Sequence, residues 1–171
     1  MKVLFVIAPL RYREEEFEVT ARMLSDAGIE YDVASTKTGT CIGMMGGEQE
    51  AGLEISKAVE KDYDALILIG GLGARDFLWA DDELCRLTKE FGDAGKVVAA
   101  ICLAPVIVAR AGLLKGRQAT VFESRASLKL LEDGGANYVK IPVVSDMNII
   151  TANHPVASEQ FAEAILEKLG C

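Results

Sequence analysis

The sequence predicts an α/β fold, a doubly wound, mostly parallel sheet sandwiched by helices. Three observations carry that expectation. The runs Val3 to Ala8, Ala65 to Ile69 and Val97 to Ile101 are short, apolar and free of charge, as strands covered on both faces require. Stretches with helical spacing of apolar residues follow these runs and end at glycine, so strands and helices alternate. Half of the 171 residues are hydrophobic, which is enough for one domain over residues 1 to 171 to bury a core without disulfide or metal staples.

The first strand is expected over Val3 to Ala8, with Pro9 to Arg13 as the loop at its carboxyl end. Helix one follows from Glu14 to Ala27. Phe17, Ala21, Leu24 and Ala27 recur at helical spacing, three glutamates favour its positive end, and Gly28 stops it. Tyr31 to Ser35 reads as the second strand. Thr36 to Gly52, with Gly39, Gly43, Gly46 and Gly47, has no clear period and is expected to be loop or short hairpin. Ser56 to Glu60 suggests a short helix, and Ala65 to Ile69 is the strongest strand signal, turned out by Gly70-Gly71-Leu72-Gly73. Leu84, Leu87, Thr88 and Phe91 form one side of the next helix, which ends around Gly92 to Gly95.

Val97 to Ile101 then delivers Cys102 to a corner. A helix is expected from Leu103 to Ala111, with Pro105 in the first turn, where its missing N–H is not needed, and Gly112 as the stop. Gln118 to Val121 reads as a strand and Arg125 to Glu132 as a helix ended by Gly134-Gly135. Val143 to Ser145 and Ile149 to Ala152 read as a hairpin about Asp146-Met147-Asn148. The last helix begins near Pro155 and buries Phe161, Ala164, Ile165 and Leu169.

Composition excludes several classes of function. The net charge of −8, with no Lys/Arg-rich block, argues against a nucleic-acid surface. Cys41, Cys85, Cys102 and Cys171 form no C-x-x-C pair, and the single histidine cannot complete a zinc set, so reduced thiols in the cytoplasm and no metal are expected. The apolar run after Lys2 is too short to span a membrane and lacks a cleavage-site pattern. A dinucleotide fingerprint would need glycines after the first strand, where Pro9-Leu10-Arg11-Tyr12-Arg13 has none. Gly71-Leu72-Gly73 is only a fragment of that pattern, and no cofactor is expected.

In a doubly wound sheet the ligand site lies beyond the carboxyl ends of the strands. That rule gathers Pro9 to Glu16, Gly70 to Ala74 and the Cys102 corner on one edge. A side chain displayed at a strand-to-helix corner needs small neighbours two positions away, and Ala100 and Ala104 fill those places. A helix starting behind Cys102 would favour its thiolate, whereas the plainer alternative is a buried structural thiol. The backbone N–H groups of Cys102 and Leu103, with Gly71 and Leu72 on the neighbouring loop, are candidate donors to an oxyanion. One of Glu14, Glu15 and Glu16 could face the sulfur, and in protonated form donate to it, if burial raised its pKa. The alternative is a solvated helix start. His154 is the only histidine available as a base, though a loop residue at a helix entrance is the simpler reading. Phe122 and Tyr12 are candidate pocket walls.

The Ala100-Ile101-Cys102-x-Ala104-Pro105 segment, the Leu68-Ile69-Gly70-Gly71 turn, the acidic start of helix one and the Ile149-Ile150-Thr151 strand before a last helix together resemble the ThiJ/PfpI superfamily. This superfamily includes intracellular peptidases and protein deglycases and is related to class I glutamine amidotransferases. The resemblance covers the chain from Met1 to the final helix. It implies a flavodoxin-like sandwich, class I glutamine amidotransferase-like, that assembles as a homodimer or higher homo-oligomer.

It also implies that Cys102 is the nucleophilic, oxidation-sensitive cysteine, that Glu16 is the glutamate beside it (Glu14 or Glu15 if the loop register shifts), and that Gly71 and Leu72 supply oxyanion-side backbone. Three departures matter. Leu103 stands where PfpI-type peptidases carry histidine, and Phe122 stands where members often carry histidine or tyrosine. His154-Pro155 replaces a frequent Gly-Pro.

The expected activity is therefore cofactor-free and cysteine-dependent, on a small electrophile or aldehyde, of the glyoxalase or deglycase kind. The alternatives are a redox or stress sensor working through oxidation of Cys102, a PfpI-type peptidase or amidase using His154, which Leu103 disfavours, and a catalytically silent binding domain.

Overall fold

The computed structural model describes residues 1–171. In chain order the elements are β1 (Lys2–Val6), β2 (Leu10–Tyr12), α1 (Glu14–Asp26), β3 (Glu30–Ser35), β4 (Gly39–Gly43), β5 (Glu48–Ala51), β6 (Leu53–Glu54) and β7 (Ala65–Leu68). There follow α2 (Asp82–Asp93), β8 (Val97–Ile101), α3 (Pro105–Arg110), β9 (Gln118–Ala119), α4 (Arg125–Asp133), β10 (Asn137–Tyr138), β11 (Val143–Asp146), β12 (Ile149–Ala152) and α5 (Ser158–Leu169).

Seven strands form the central sheet in the order β11-β12-β8-β7-β1-β3-β6. All neighbours are parallel except β11, which folds back antiparallel on β12 as the hairpin signal required. Every residue of β7 and β8 is buried, which is why their sequences are uninterrupted apolar runs rather than alternating ones. Helices α1 and α5 pack together on one face, and α2, α3 and α4 cover the other. No helix is long and apolar enough to cross a membrane.

Register decides what shares the carboxyl edge. Val6 lies beside Leu68, Leu68 beside Ala100, and Ile101 beside Ala152. The chain therefore leaves β1, β7, β8 and β12 at one level, and four loops meet there. The loop after β12 joins the three expected ones because β12 is the immediate parallel neighbour of β8.

Several boundaries differ from expectation. Pro9 to Arg13 is not all loop, because Leu10–Tyr12 pairs as β2 with β4 in a second, three-stranded sheet. The glycine-rich Thr36 to Gly52 segment contains the hairpin β4–β5, antiparallel from Gly39 opposite Ala51 to Ile42 opposite Glu48. Ser56 to Glu60 is not a helix but lies across two 3-10 turns, Ile55–Lys57 and Glu60–Asp62, separated by extended backbone at Ala58 and Val59. Helix α3 starts at Pro105 rather than Leu103, since a turn closed by Ala104 N–H on the Ile101 carbonyl at 3.0 Å occupies the intervening residues. A π-helical turn, Ala74–Leu78, follows the glycine turn and was not foreseen.

Candidate active site

Cys102 sits where β8 ends and the chain reverses, with a φ of +62°. That left-handed conformation costs an L-residue about 1 to 3 kcal/mol and persists only where surrounding structure enforces it. Two hydrogen bonds do so here. Cys102 N–H donates to the Ala152 carbonyl at 2.8 Å, and Phe122 N–H donates to the Cys102 carbonyl at 2.8 Å. Ala100 and Ala104 are completely buried, as the corner requires. The first of these bonds also corrects an expectation, because the Cys102 N–H is committed to β12 and is not an oxyanion donor.

The three glutamates at the start of α1 have three separate fates. Glu14 is buried, and its Oε1 accepts from Met45 N–H at 2.7 Å and Gly47 N–H at 3.1 Å, which ties the β4–β5 turn to the helix. Glu15 is half-exposed and pairs with Arg13 at 2.8 Å. Glu16 is fully buried, and its Oε2 accepts from Gly70 N–H at 2.7 Å. Its other oxygen, Oε1, is buried without a hydrogen-bond partner, and the carboxyl group lies beside the Cys102 sulfur, close enough for each to shift the other's titration. Glu16 is thus the carboxyl group that meets the sulfur, and Glu14 and Glu15 do not.

Gly70 and Gly71 make that meeting possible. A Cβ at Gly70 would fall 2.8 Å from both Cys102 Cβ and Glu16 Oε2, closer than side chains pack. Gly71 has a φ of +96°, and a Cβ there would meet the Arg11 carbonyl oxygen at 2.6 Å and Arg13 N at 2.7 Å. The backbone N–H groups of Gly71 and Leu103 lie beside the Cys102 sulfur and act to lower its thiol pKa. Leu72 forms part of the cavity wall.

Burial governs the electrostatics. It pushes the Glu16 carboxyl up to about 8, against the opposing effects of Gly70 N–H and Cys102. It also pushes the Cys102 thiol up, and an ionised Glu16 would push it further. The N–H groups of Gly71 and Leu103 act the other way. The expected helix-driven thiolate is therefore outweighed by desolvation. At neutral pH Glu16 is protonated, which removes the repulsion and leaves an O–H able to donate to sulfur.

Cys102 opens onto a cavity of about 160 Å³. Leu72, Leu103, Phe122 and Pro155 form its apolar walls, with Gly71, Met44, Arg13 and His154 completing the lining. His154 stacks on Phe122 with ring centroids 5.8 Å apart, and its Nδ1 accepts from Val156 N–H at 3.2 Å, so it caps the entrance to the last helix and lines the cavity as well. Tyr12 is not a wall; it is buried in the core, edge-on to Phe17. Arg13, Met44 and Trp79 were missed from sequence. Trp79 Nε1–H donates to the Leu103 carbonyl at 2.8 Å, bracing the corner from behind. Arg13 had a signal in its position beside the acidic triplet, whereas Met44 depends on how the β4–β5 turn folds over.

A model of the DJ-1/PfpI family matches residues 1–168. The uncharacterized protein MJ0967 of Methanocaldococcus jannaschii is 40% identical over 168 residues, 98% of this chain and 82% of its own length. Deglycase TK1284 of Thermococcus kodakarensis is 31% identical over 156 residues, 91% of each chain. Among solved structures, a ThiJ/PfpI domain protein from Brachyspira murdochii superposes with a TM-score of 0.92 at 32% identity, covering 99% of this chain and 96% of the other.

Proposed function

The chain belongs to the DJ-1/PfpI family, and from that premise we propose that it is a cofactor-free, cysteine-dependent enzyme acting on small carbonyl compounds, of the glyoxalase or deglycase kind. One observation carries this reading: a buried carboxyl group and two backbone N–H donors converge on a single thiol at the mouth of a cavity sized for a small molecule. A family relative named a deglycase supports the same class of reaction.

In this reading Cys102 adds to an aldehyde carbon. The carbon–sulfur bond forms, the thiol proton ends on the carbonyl oxygen, and Glu16 relays protons between sulfur, oxygen and carbon. Gly71 and Leu103 N–H groups stabilise the charge that develops on oxygen. Methylglyoxal conversion to lactate, followed in a coupled assay, tests it. Wild type is expected to turn over and Cys102→Ser to be inactive, and equal rates for the two would refute the proposal.

A second reading is favoured by the same pairing of Glu16 with sulfur. Oxidation of Cys102 by peroxide to a sulfenic or sulfinic acid would place the product against a protonated carboxyl group, the arrangement of a redox or stress sensor. It requires that peroxide modify Cys102 ahead of Cys41, Cys85 and Cys171, which intact-protein and peptide mass spectrometry can measure. Peptidase activity is disfavoured, because Leu103 cannot take a proton and the cavity suits a small molecule better than a polypeptide.

The four free cysteines support a reducing, cytoplasmic setting. We also propose a homodimer or higher homo-oligomer; a solution mass of 18.4 kDa by light scattering would rule that out.

A further inference from the structure

The Cys102 cavity contains one permanently charged side chain, and the protein does not supply it with a full set of partners. Arg13 Nη2 donates to Glu15 Oε1 at 2.8 Å, but Nε is buried without an acceptor and Nη1 has none in the protein. The side chain is 28% exposed, so it is Nε that is withdrawn from water, and a charged N–H so placed is seldom left unpaired because the unmade bond is costly. The main chain at Arg13 is also held in place: its backbone N–H donates to the Gly70 carbonyl at 3.2 Å, on the turn beside the sulfur.

The nearby cations are already engaged: Arg11 with Asp76, and Lys140 with Glu123. The molecule as a whole carries a net charge of −8, so the cavity is a local exception in a field that otherwise repels anions.

We propose that Arg13 recognises a carboxylate on the substrate, so that this site prefers a small 2-oxoaldehyde bearing a carboxylate group. The proposal rests on the cysteine-dependent carbonyl chemistry above and adds the substrate class to it. The guanidinium offers a planar fork that suits a carboxylate, while Leu72, Phe122 and Pro155 accept the intervening carbon chain.

The reaction balances without an external oxidant. Cys102 S–H adds across the aldehyde C=O to give a hemithioacetal. The aldehyde-derived C–H proton then moves to the neighbouring ketone carbon and the hemithioacetal O–H proton to the ketone oxygen, which oxidises the first carbon to a thioester and reduces the second to an alcohol. Water cleaves the thioester, releasing a 2-hydroxy dicarboxylate and regenerating the thiol.

The test compares kcat/KM for 4,5-dioxopentanoate with that for methylglyoxal. Their ratio is expected to exceed ten in the wild type, to fall at least tenfold in Arg13→Gln, and to recover in part in Arg13→Lys. A wild-type ratio of one or less, or a ratio unchanged in Arg13→Gln, would overturn it.

A second measurement requires no turnover. Alkylation of Cys102 by iodoacetamide, followed by peptide mass spectrometry at matched ionic strength, is expected to slow with propanoate but not with isosteric propanamide, and the difference should vanish in Arg13→Gln. If neither aldehyde is converted while propanoate still protects selectively, the carbonyl reading and the proposed substrate fail but the carboxylate site stands. Equal effects of the two compounds overturn the site itself.

Discussion

Glu16 and Cys102 meet across Gly70: its amide N–H holds one carboxyl oxygen at 2.7 Å, while its missing side chain leaves room for the cysteine. A methyl group at this position would lie within 2.8 Å of both residues and 2.6 Å of the Ile101 carbonyl oxygen. Gly70→Ala is therefore expected to destabilise the protein by about 1 to 3 kcal/mol, as overpacking does. It should also change the alkylation rate of Cys102. Urea unfolding by circular dichroism checks the first effect; unchanged values for both would show that the pair does not depend on this contact.

The raised pKa of Glu16 makes stability depend on pH. Its carboxyl group holds a proton in the folded state up to about pH 8, whereas the unfolded chain releases it near the ordinary glutamate value of 4.5. Between those values the folded state binds more protons, so stability falls as pH rises. The contribution is fully present below pH 4.5 and is lost as pH rises through 8. The slope approaches about 1.4 kcal/mol per pH unit for one proton. Glu16→Gln should remove that slope in urea titrations between pH 5 and 8. It should also lower turnover by about 100-fold or more, because the amide cannot relay a proton.

Trp79 is expected to brace the corner through its indole N–H. Trp79→Phe keeps an aromatic ring but strands the Leu103 carbonyl, at a cost of about 1 to 3 kcal/mol. Because Trp79 is the only tryptophan, its emission should also report alkylation of Cys102 in the wild type. An emission spectrum insensitive to alkylation would indicate that the bond does not couple the two.

His154 separates the carbonyl reading from the peptidase reading. His154→Asn retains a capping acceptor for Val156 N–H but removes the imidazole from the cavity. Methylglyoxal turnover is expected to fall by less than tenfold. A fall to the level of Cys102→Ser would assign the essential base to His154 instead of Glu16.

Glu14, although next to the site in sequence, is expected to act on structure. Glu14→Ala leaves Met45 and Gly47 N–H groups without their acceptor. The β4–β5 turn should then become the preferred point of limited proteolysis, with a stability loss of about 1 to 3 kcal/mol. Proteolysis unaltered in rate and position would show that the turn is held by other contacts.

Much of the fold was legible because its signals are local. The charge-free run Val97 to Ile101 declares a strand buried on both faces, and Phe17, Ala21 and Leu24 declare one face of a helix. The strands β2 and β10 were not legible: each is too short to show a period and exists only because a partner strand lies beside it. The β4–β5 hairpin was open for a similar reason, its glycines permitting several backbone paths.

The sequence by itself determined the alternation of strands and helices, the display of Cys102 at a corner beyond a strand, and the presence of carboxyl groups on the same edge. Only the tertiary structure decided which carboxyl group serves. Successive helical residues point about 100° apart, so Glu14, Glu15 and Glu16 face a turn, an arginine and a thiol according to how α1 is rotated against the sheet. Strand order, likewise a long-range property, set β12 beside β8. That placement brought His154 to the cavity and consumed the Cys102 N–H, leaving Glu16, Gly71 and Leu103 as the groups beside the sulfur.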